Sequence, residues 1–146
     1  MNFIEKLKKE HEQIERELLE LETIMETEEI NYPNLIHTYR KLHDFWNEHE
    51  LKEERIFQIL RHESIVIPVE TMLFEHKELR SHKNILLEAI NSGNEEKIKK
   101  ALEEQGVLII KKIREHINKE DEILYRITLE NFTQEEIIEA ERALND

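Results

Sequence analysis

The sequence predicts an all-α protein, an up-down-up-down antiparallel four-helix bundle with a short C-terminal fifth helix. The chain of 146 residues has only 2 glycines and 2 prolines, too few for the turns of a many-stranded sheet. Its composition is dominated by Glu, Lys, Leu and Ile, which favour long helices. Apolar residues recur every three or four positions through four long segments, which is typical of one buried helix face.

The first two helices are predicted from two unbroken stripes. In the first helix the inward positions are Ile4, Leu7, His11, Ile14, Leu18, Leu21 and Met25. The second helix begins near Pro33, because proline suits the first turn of a helix. Its inward positions are Leu35, Tyr39, Leu42, Trp46, His49, Glu53, Ile56 and Leu60.

The third helix opens at Pro68, and Gly93 suits the left-handed position after its end. Its inward positions are Val69, Met72, His76, Leu79, Lys83, Leu86 and Ile90. The fourth helix runs from about Asn94 to about Leu129. Its inward positions are Ile98, Leu102, Gln105, Ile109, Ile113, His116, Glu120, Ile123 and Ile127. Gly106 within it indicates either a close helix contact or a local break.

The fifth helix starts at Thr133, which forms a capping box with Glu136, and runs to about Leu144. The connections between the four long helices are short, at 27–32, 62–67 and 91–94, so sequential helices are expected to be antiparallel. The whole chain, residues 1–146, is predicted to form one domain.

Composition also limits the function. The net charge of −13 disfavours nucleic acid and anionic membranes as partners, because both repel a strongly acidic surface. No apolar run is long enough to span a bilayer, and the N-terminus has no apolar signal core. The chain has no cysteine, which excludes disulfides and thiolate metal sites. A cytoplasmic protein is therefore expected.

Each of the four stripes contains one histidine, and two contain a glutamate one turn later. Counting about 1.5 Å per residue from the predicted helix ends places the four histidines near one layer of the bundle. The two glutamates lie four residues after a histidine, on the same helix face. The candidate set is His11, His49, Glu53, His76, His116 and Glu120.

This set predicts a dinuclear metal site. Two unpaired carboxylates inside an apolar bundle would cost several kcal/mol each, and two cations would neutralise them. Four imidazoles and two bridging carboxylates give each ion two nitrogen and two oxygen ligands, which leaves positions open for an exogenous ligand. Ligands without sulfur suit Fe, Mn, Zn or Ni. Iron is predicted because a pair of carboxylate-bridged irons is useful for the chemistry of O₂ or NO. Ferritin-like carboxylate bundles are excluded, because no Glu lies three residues before any His.

At these residues the sequence resembles the hemerythrin-like, or HHE cation-binding, family of four-helix di-iron proteins. The resemblance covers nearly the whole chain and is carried by the segments 9–12, 49–54, 75–79 and 116–124. It implies a hemerythrin-like bundle with two irons, one held by His11 and His49 and the other by His76 and His116. Glu53 and Glu120 would bridge the two irons.

The sequence departs from particular members of this family. The oxygen-carrying hemerythrins have a fifth histidine where this chain has Arg80. Their last carboxylate is an Asp five residues after the fourth-helix histidine, so Asp121 competes with Glu120. Glu120 is preferred because the four-residue spacing keeps it on the stripe. The family's iron-sulfur repair proteins have a similar six-ligand site but add a cysteine-bearing region, and this chain has no cysteine.

The remaining polar and aromatic residues are given structural interpretations. We expect Trp46, Tyr39 and Tyr125 to pack in the core. Arg80 is expected on a solvated helix face, with a reach into the site as the alternative. The other four histidines lie off the stripes or at helix ends and are expected to be solvated, with a contribution of His43 or His82 to the site as the alternative; they are His37, His43, His62 and His82.

The predicted function is a non-haem di-iron protein that binds O₂, NO or peroxide as a sensor, scavenger or store. Zinc or manganese could substitute for iron. One alternative is a di-iron protein that repairs damaged iron-sulfur clusters, and a second is a metal-free helical interaction module. No catalytic residue is identified, so whether the chain is an enzyme stays open, and no protein partner is predicted.

Overall fold

The computed structural model describes residues 2–62 and 65–145. All regular secondary structure within these residues is helical, which confirms the all-α prediction. Two residues of the predicted 62–67 connection, Glu63 and Ser64, lie outside the described residues, as do both chain-terminal residues. None of the described helices combines the length and apolar character needed to cross a membrane.

Four long helices and a short fifth helix follow one another along the chain. Helix α1 spans Phe3–Met25, α2 spans Tyr32–Phe57 and α3 spans Val69–Asn91. Helix α4 consists of the α-helical segments Glu95–Ala101, Val107–Lys119 and Tyr125–Asn131, joined by the π-helical segments Leu102–Gly106 and Glu120–Leu124. Helix α5 spans Gln134–Asn145.

The predicted helix ends are confirmed at several positions. Asn31 caps α2, and Pro33 lies in its first turn. Gly93 has a φ of 68°, which places it in the left-handed region after α3. Thr133 and Glu136 form the reciprocal capping box, with N–H to oxygen distances of 2.9 and 3.1 Å.

The core divides into two apolar clusters along the bundle. One cluster packs around Leu18, Leu42 and Leu86, and the other packs around Ile4 and Ile56. The inward positions predicted for α1 and α2 are buried, apart from the half-buried Met25 at the end of α1. The two stripes therefore supply much of the core that holds the polar layer.

The prediction was wrong for the inward positions at the end of α4. Ile123 was expected inside but is 46% exposed, and Ile127 is only half-buried. Leu124, Tyr125 and Thr128 are buried instead. The π-helical segment Glu120–Leu124 explains the difference, because a π turn takes an extra residue and moves each later side chain one position around the axis.

Gly106 ends the other π-helical segment and lies against α1. A Cβ atom at this position would lie 2.9 Å from Cε of Met25. Both interpretations of this glycine therefore hold, since a close helix contact and a local departure from α-helix occur together. The predicted inward Gln105 is only half-buried, and its side chain contacts His82 Nδ1 at 2.7 Å.

Candidate metal centre

Four buried histidines, one from each long helix, meet in the polar layer. None is more than 3% exposed. The Nε2 atoms of His11 and His49 are 3.0 Å apart, and the ring centroids of His76 and His116 are 4.6 Å apart. The structure thus brings together the four histidines that the sequence pattern selected, as a pair from α1 and α2 and a pair from α3 and α4.

Glu53 and Glu120 are fully buried between these two pairs. Glu53 Oε1 lies 3.1 Å from His49 Nε2 and 3.3 Å from His76 Nε2. Glu120 Oε1 lies 3.2 Å from His11 Nε2, and its Oε2 lies 3.3 Å from His116 Nε2. Glu53 Oε2 also lies 3.6 Å from His11 Nε2, so each carboxylate contacts at least one histidine of each pair.

The six side chains form two overlapping groups that could each hold a metal ion. One group contains His11 and His49, the other contains His76 and His116, and Glu53 and Glu120 belong to both. Within each group the candidate ligand atoms lie within 4.8 Å of one another. Asp121 belongs to neither group.

The unpartnered atoms of this layer fit two cations. Glu53 Oε1, both oxygens of Glu120, and Nε2 of His76 and His116 are buried without a hydrogen-bond partner. Buried polar atoms are almost always partnered, so such a cluster needs a group that all of them can bind. Nitrogen and oxygen atoms that bind one ion at about 2.1 Å would lie about 3 Å apart. The separations in this layer, 3.0–3.3 Å for the closest pairs, have that size.

The outer nitrogen of each histidine is held by a carboxylate. Nδ1 lies 2.8 Å from Asp121 in His11, 2.8 Å from Glu10 in His49, 3.4 Å from Glu54 in His76 and 2.8 Å from Glu75 in His116. An ionised carboxylate only accepts hydrogen bonds, so each Nδ1 donates, and in a neutral ring the lone pair of Nε2 then faces the centre. This arrangement orients an imidazole for metal binding and raises its basicity.

Two of these outer carboxylates also contact a lysine. Lys52 Nζ lies 2.9 Å from Glu10, and Lys119 Nζ lies 2.6 Å from Glu75. The two segments that contribute these lysines share one pattern, His-x-x-Lys-Glu followed by an acid, at 49–54 and 116–121. The sequence interpretation missed the outer carboxylates, although this repeat, together with the Glu-His pairs at 10–11 and 75–76, was the available signal.

The buried charges shift the pKa values of the layer. Burial lowers the pKa of His11, but its contacts with Asp121, Glu120 and Glu53 outweigh burial and raise that pKa to about 11. Burial also lowers the pKa of His116, but its contact with Glu120 outweighs burial and raises that pKa to about 9. Burial raises the pKa of Glu120, and the nearby charge of Glu53 raises it further. In the absence of metal the layer therefore retains protons, which bound cations would displace.

Tyr125 is a member of the site that the sequence interpretation assigned to the core. It is fully buried, and its hydroxyl donates a hydrogen bond to Glu53 Oε2. Its ring stacks on His11 with the centroids 6.0 Å apart. Burial and the carboxylates of Glu53 and Glu120 raise the pKa of its phenol well above the usual value. The stripe gave no signal for this role, because the π-helical segment before Tyr125 turns it inward.

Arg80 turns away from the histidine layer. Its guanidinium pairs with Glu50 and, at 3.2 Å, with Glu54, and its side chain is 49% exposed. It therefore supports the carboxylate that contacts His76 Nδ1 and is neither a freely solvated arginine nor a group that fills the position of a fifth histidine.

Of the other histidines, His37 is exposed as predicted, and His62 and His82 are half-buried. The prediction that His43 is solvated was wrong, because its side chain is buried and Asn47 Nδ2 lies 3.3 Å from its Nδ1. The interface between α2 and α3 has polar residues on its inner side, which an apolar stripe does not reveal. Trp46 is buried as predicted, with its ring centroid 5.6–6.2 Å from those of His49, His76 and His116.

Comparison with known proteins gives one match. No curated protein and no solved structure matches the chain. The model of the family described as the hemerythrin HHE cation binding domain matches residues 2–128, which include all six buried residues of the layer. The resemblance indicated by the sequence motifs is thereby confirmed, and this chain belongs to the hemerythrin HHE cation-binding domain family.

Proposed function

We propose that this protein is a non-haem di-iron protein. One iron is bound by His11 and His49, the other by His76 and His116, and Glu53 and Glu120 bridge the pair. The observation that carries the proposal is the set of unpartnered buried atoms that face one another in the histidine layer. Membership of a cation-binding family supports the same conclusion.

The proposal includes an up-down-up-down arrangement of the four long helices. Cross-helix contacts support it, because rising residue numbers on one helix meet falling numbers on the next. Between α1 and α2 the pairs are Glu10 with Lys52, Glu17 with Lys41 and Glu20 with Thr38. Between α3 and α4 the pairs are Glu75 with Lys119, Glu78 with Lys112 and His82 with Gln105.

Iron is preferred to zinc for its redox chemistry. A pair of ferrous ions would supply the electrons and the open coordination positions that bind O₂, NO or peroxide. The chain supplies imidazole and carboxylate ligands without sulfur, together with a phenol donor, Tyr125, beside Glu53. Zinc and manganese accept the same ligands, so metal identity has to be measured.

A small exogenous ligand suits the burial of the site. All six proposed ligands are at most 3% exposed, so a large substrate has no access to the metals. A groove of about 210 Å³ between α3 and α4 is lined in part by His116 and by its partner Glu75. We propose a sensor, scavenger or store of O₂, NO or peroxide, and a cytoplasmic location stays a prediction.

The test is metal analysis of the untagged protein purified from iron-supplemented cells. We expect about two irons per chain, and a visible spectrum that changes when the reduced protein meets O₂ or NO. His49→Ala should lose bound iron, whereas His37→Ala, which replaces an exposed histidine, should keep it.

Other outcomes separate the alternatives. Two zinc ions per chain would support the ligand assignment and contradict iron as the resident metal. A well-folded protein with no metal, and no uptake of added Fe²⁺, would overturn the proposal in favour of a metal-free helical module.

A further inference from the structure

A positive charge is buried next to the histidine layer. Lys83 lies on the inner stripe of α3, and only 2% of its surface is exposed. Its ammonium donates one hydrogen bond, 2.7 Å long, to Asn47 Oδ1. Its nearest carboxylate oxygen, Glu50 Oε2, is 3.9 Å away and makes no hydrogen bond with it. A lysine is rarely buried this completely without a close counter-ion.

Glu50 does not fully neutralise this charge, because Glu50 also pairs with Arg80. Glu50 Oε1 accepts a hydrogen bond from the Arg80 guanidinium. Two cations thus share one buried carboxylate, and the second carboxylate that contacts Arg80, Glu54, faces His76 Nδ1 at 3.4 Å. These two cations and two carboxylates balance in number, but Lys83 is buried whereas the Arg80 side chain is 49% exposed, so removal of the Lys83 charge would leave the buried Glu50 charge less balanced on the side of the layer formed by α2 and α3.

One aromatic ring separates Lys83 from the histidines. Its Nζ lies 5.7 Å from the centroid of the Trp46 ring. The other neighbours of that ring include three of the proposed ligands, His49, His76 and His116. Trp46 is fully buried, so the space between the ammonium and the layer is filled by protein. Charges act over longer distances in such an interior than across water.

We propose that Lys83 sets the redox potential of the metal pair. Its buried positive charge stabilises the reduced state of the metals and so raises their redox potential. The inference rests on the proposed di-iron function. A nearby cation opposes a higher positive charge on the metals, so it favours the ferrous over the ferric state. Each ferric ion that gains one electron lowers the charge of the centre by one unit, and Lys83 makes that change more favourable.

The experiment is a redox titration of the iron-loaded protein, followed by its visible absorption in an electrochemical cell that supplies the electrons through mediators. It compares the wild type with Lys83→Met, which keeps an unbranched side chain only one atom shorter and removes its charge. Lys83→Arg keeps the charge. Lys77→Met is the matched control, because Lys77 lies on the same helix but is exposed to solvent.

We expect a lower potential in Lys83→Met. At the potential where the wild type is half reduced, the ratio of reduced to oxidised iron should fall on the order of tenfold. That is the effect of one charge about 10 Å from the metal pair at an effective dielectric constant of about 20. Lys83→Arg and Lys77→Met should stay close to the wild type.

Iron content and thermal unfolding are measured for each variant before the titration. If the wild type binds no iron, the proposed function fails. If Lys83→Met holds two irons and titrates at the wild-type potential, the inference about Lys83 fails while the di-iron function stands. An equal shift in Lys77→Met would also overturn it, since a general change in net charge would then be the cause.

Discussion

Glu10 and Glu75 have equivalent roles in the two histidine pairs of the layer. Glu10 accepts a hydrogen bond from His49 Nδ1, and Glu75 accepts one from His116 Nδ1, both 2.8 Å long. Each glutamate directly precedes another layer histidine in the sequence, His11 or His76. One helix therefore supplies its own histidine and orients the histidine of a neighbouring helix, which couples the geometry of the site to helix packing.

The first prediction distinguishes the two adjacent acids on α4. Glu120 faces both histidine pairs, whereas Asp121 contacts only the outer nitrogen of His11. Glu120→Gln should reduce the bound metal to about one ion per chain or fewer. Asp121→Asn should keep two ions and lose about tenfold in affinity, as is usual for an outer partner. Metal content and competition with a chelator measure both effects, and the reverse pattern would make Asp121 the ligand.

The second prediction concerns the outer carboxylates. Glu75→Gln keeps the size of the side chain but removes the charge that His116 Nδ1 contacts. We expect metal affinity to fall by about ten- to a hundredfold, because the imidazole becomes less basic and less firmly oriented. Glu78→Gln is the control one turn along the same helix, since Glu78 contacts Lys112 at 3.5 Å and no layer histidine. Equal losses in the two variants would rule out a specific role for Glu75.

The third prediction concerns the stability of the metal-free protein as a function of pH. Burial lowers the pKa of Lys83 from 10.5 to about 8, against the opposing charge of Glu50. Below pH 8 the lysine is protonated in both states, and folding bears the full cost of burying the ammonium. Between pH 8 and 10.5 only the unfolded chain holds the proton, so stability gains up to about 3 kcal/mol as the pH rises.

Urea unfolding of the wild type and Lys83→Met at pH 7.5 and pH 10 tests this sign. Other titrating groups are common to both proteins, so the difference between their free energies of unfolding isolates Lys83. The variant should be the more stable protein at pH 7.5, and its advantage should shrink by pH 10. A difference that is the same at both pH values would show that the ammonium carries no burial cost.

The fourth prediction is the effect of metal removal. Glu53 and Glu120 are fully buried, so their carboxylates depend on protons or cations for charge balance. A free metal concentration about 1,000 times the dissociation constant should stabilise the fold by about 4 kcal/mol. In a chain of this size, the loss of that stabilisation when the metal is removed corresponds to a fall of roughly 10 °C in Tm.

Thermal unfolding before and after chelation measures this effect, and added Fe²⁺ under anaerobic conditions should restore the original Tm. Metal uptake should also weaken as the pH falls, because protons compete for His11 and His116, whose pKa values are raised to about 11 and about 9. An unchanged Tm after complete removal would contradict a metal linked to folding.

The sequence by itself determined the helices and the candidate ligands. A stripe with a three-to-four spacing places side chains on one helix face whatever the helix packs against, so His49 and Glu53 had to share a face. Thr133 with Glu136, and Gly93, marked helix ends through local chemistry alone. The set of six residues followed from the same local rule together with their depth along the helices, since each was a histidine or glutamate at an inward position near one layer.

Only the tertiary structure decided what lies behind and beside those residues. The contacts of Glu10 with His49 and of Lys83 with Trp46 depend on how one helix is aligned against another, and no local spacing specifies that alignment. The π-helical segment Glu120–Leu124 broke the stripe and turned Tyr125 towards Glu53. The physical reason is that a helix pattern repeats along a single axis, whereas the outer groups of the site are set by packing between axes.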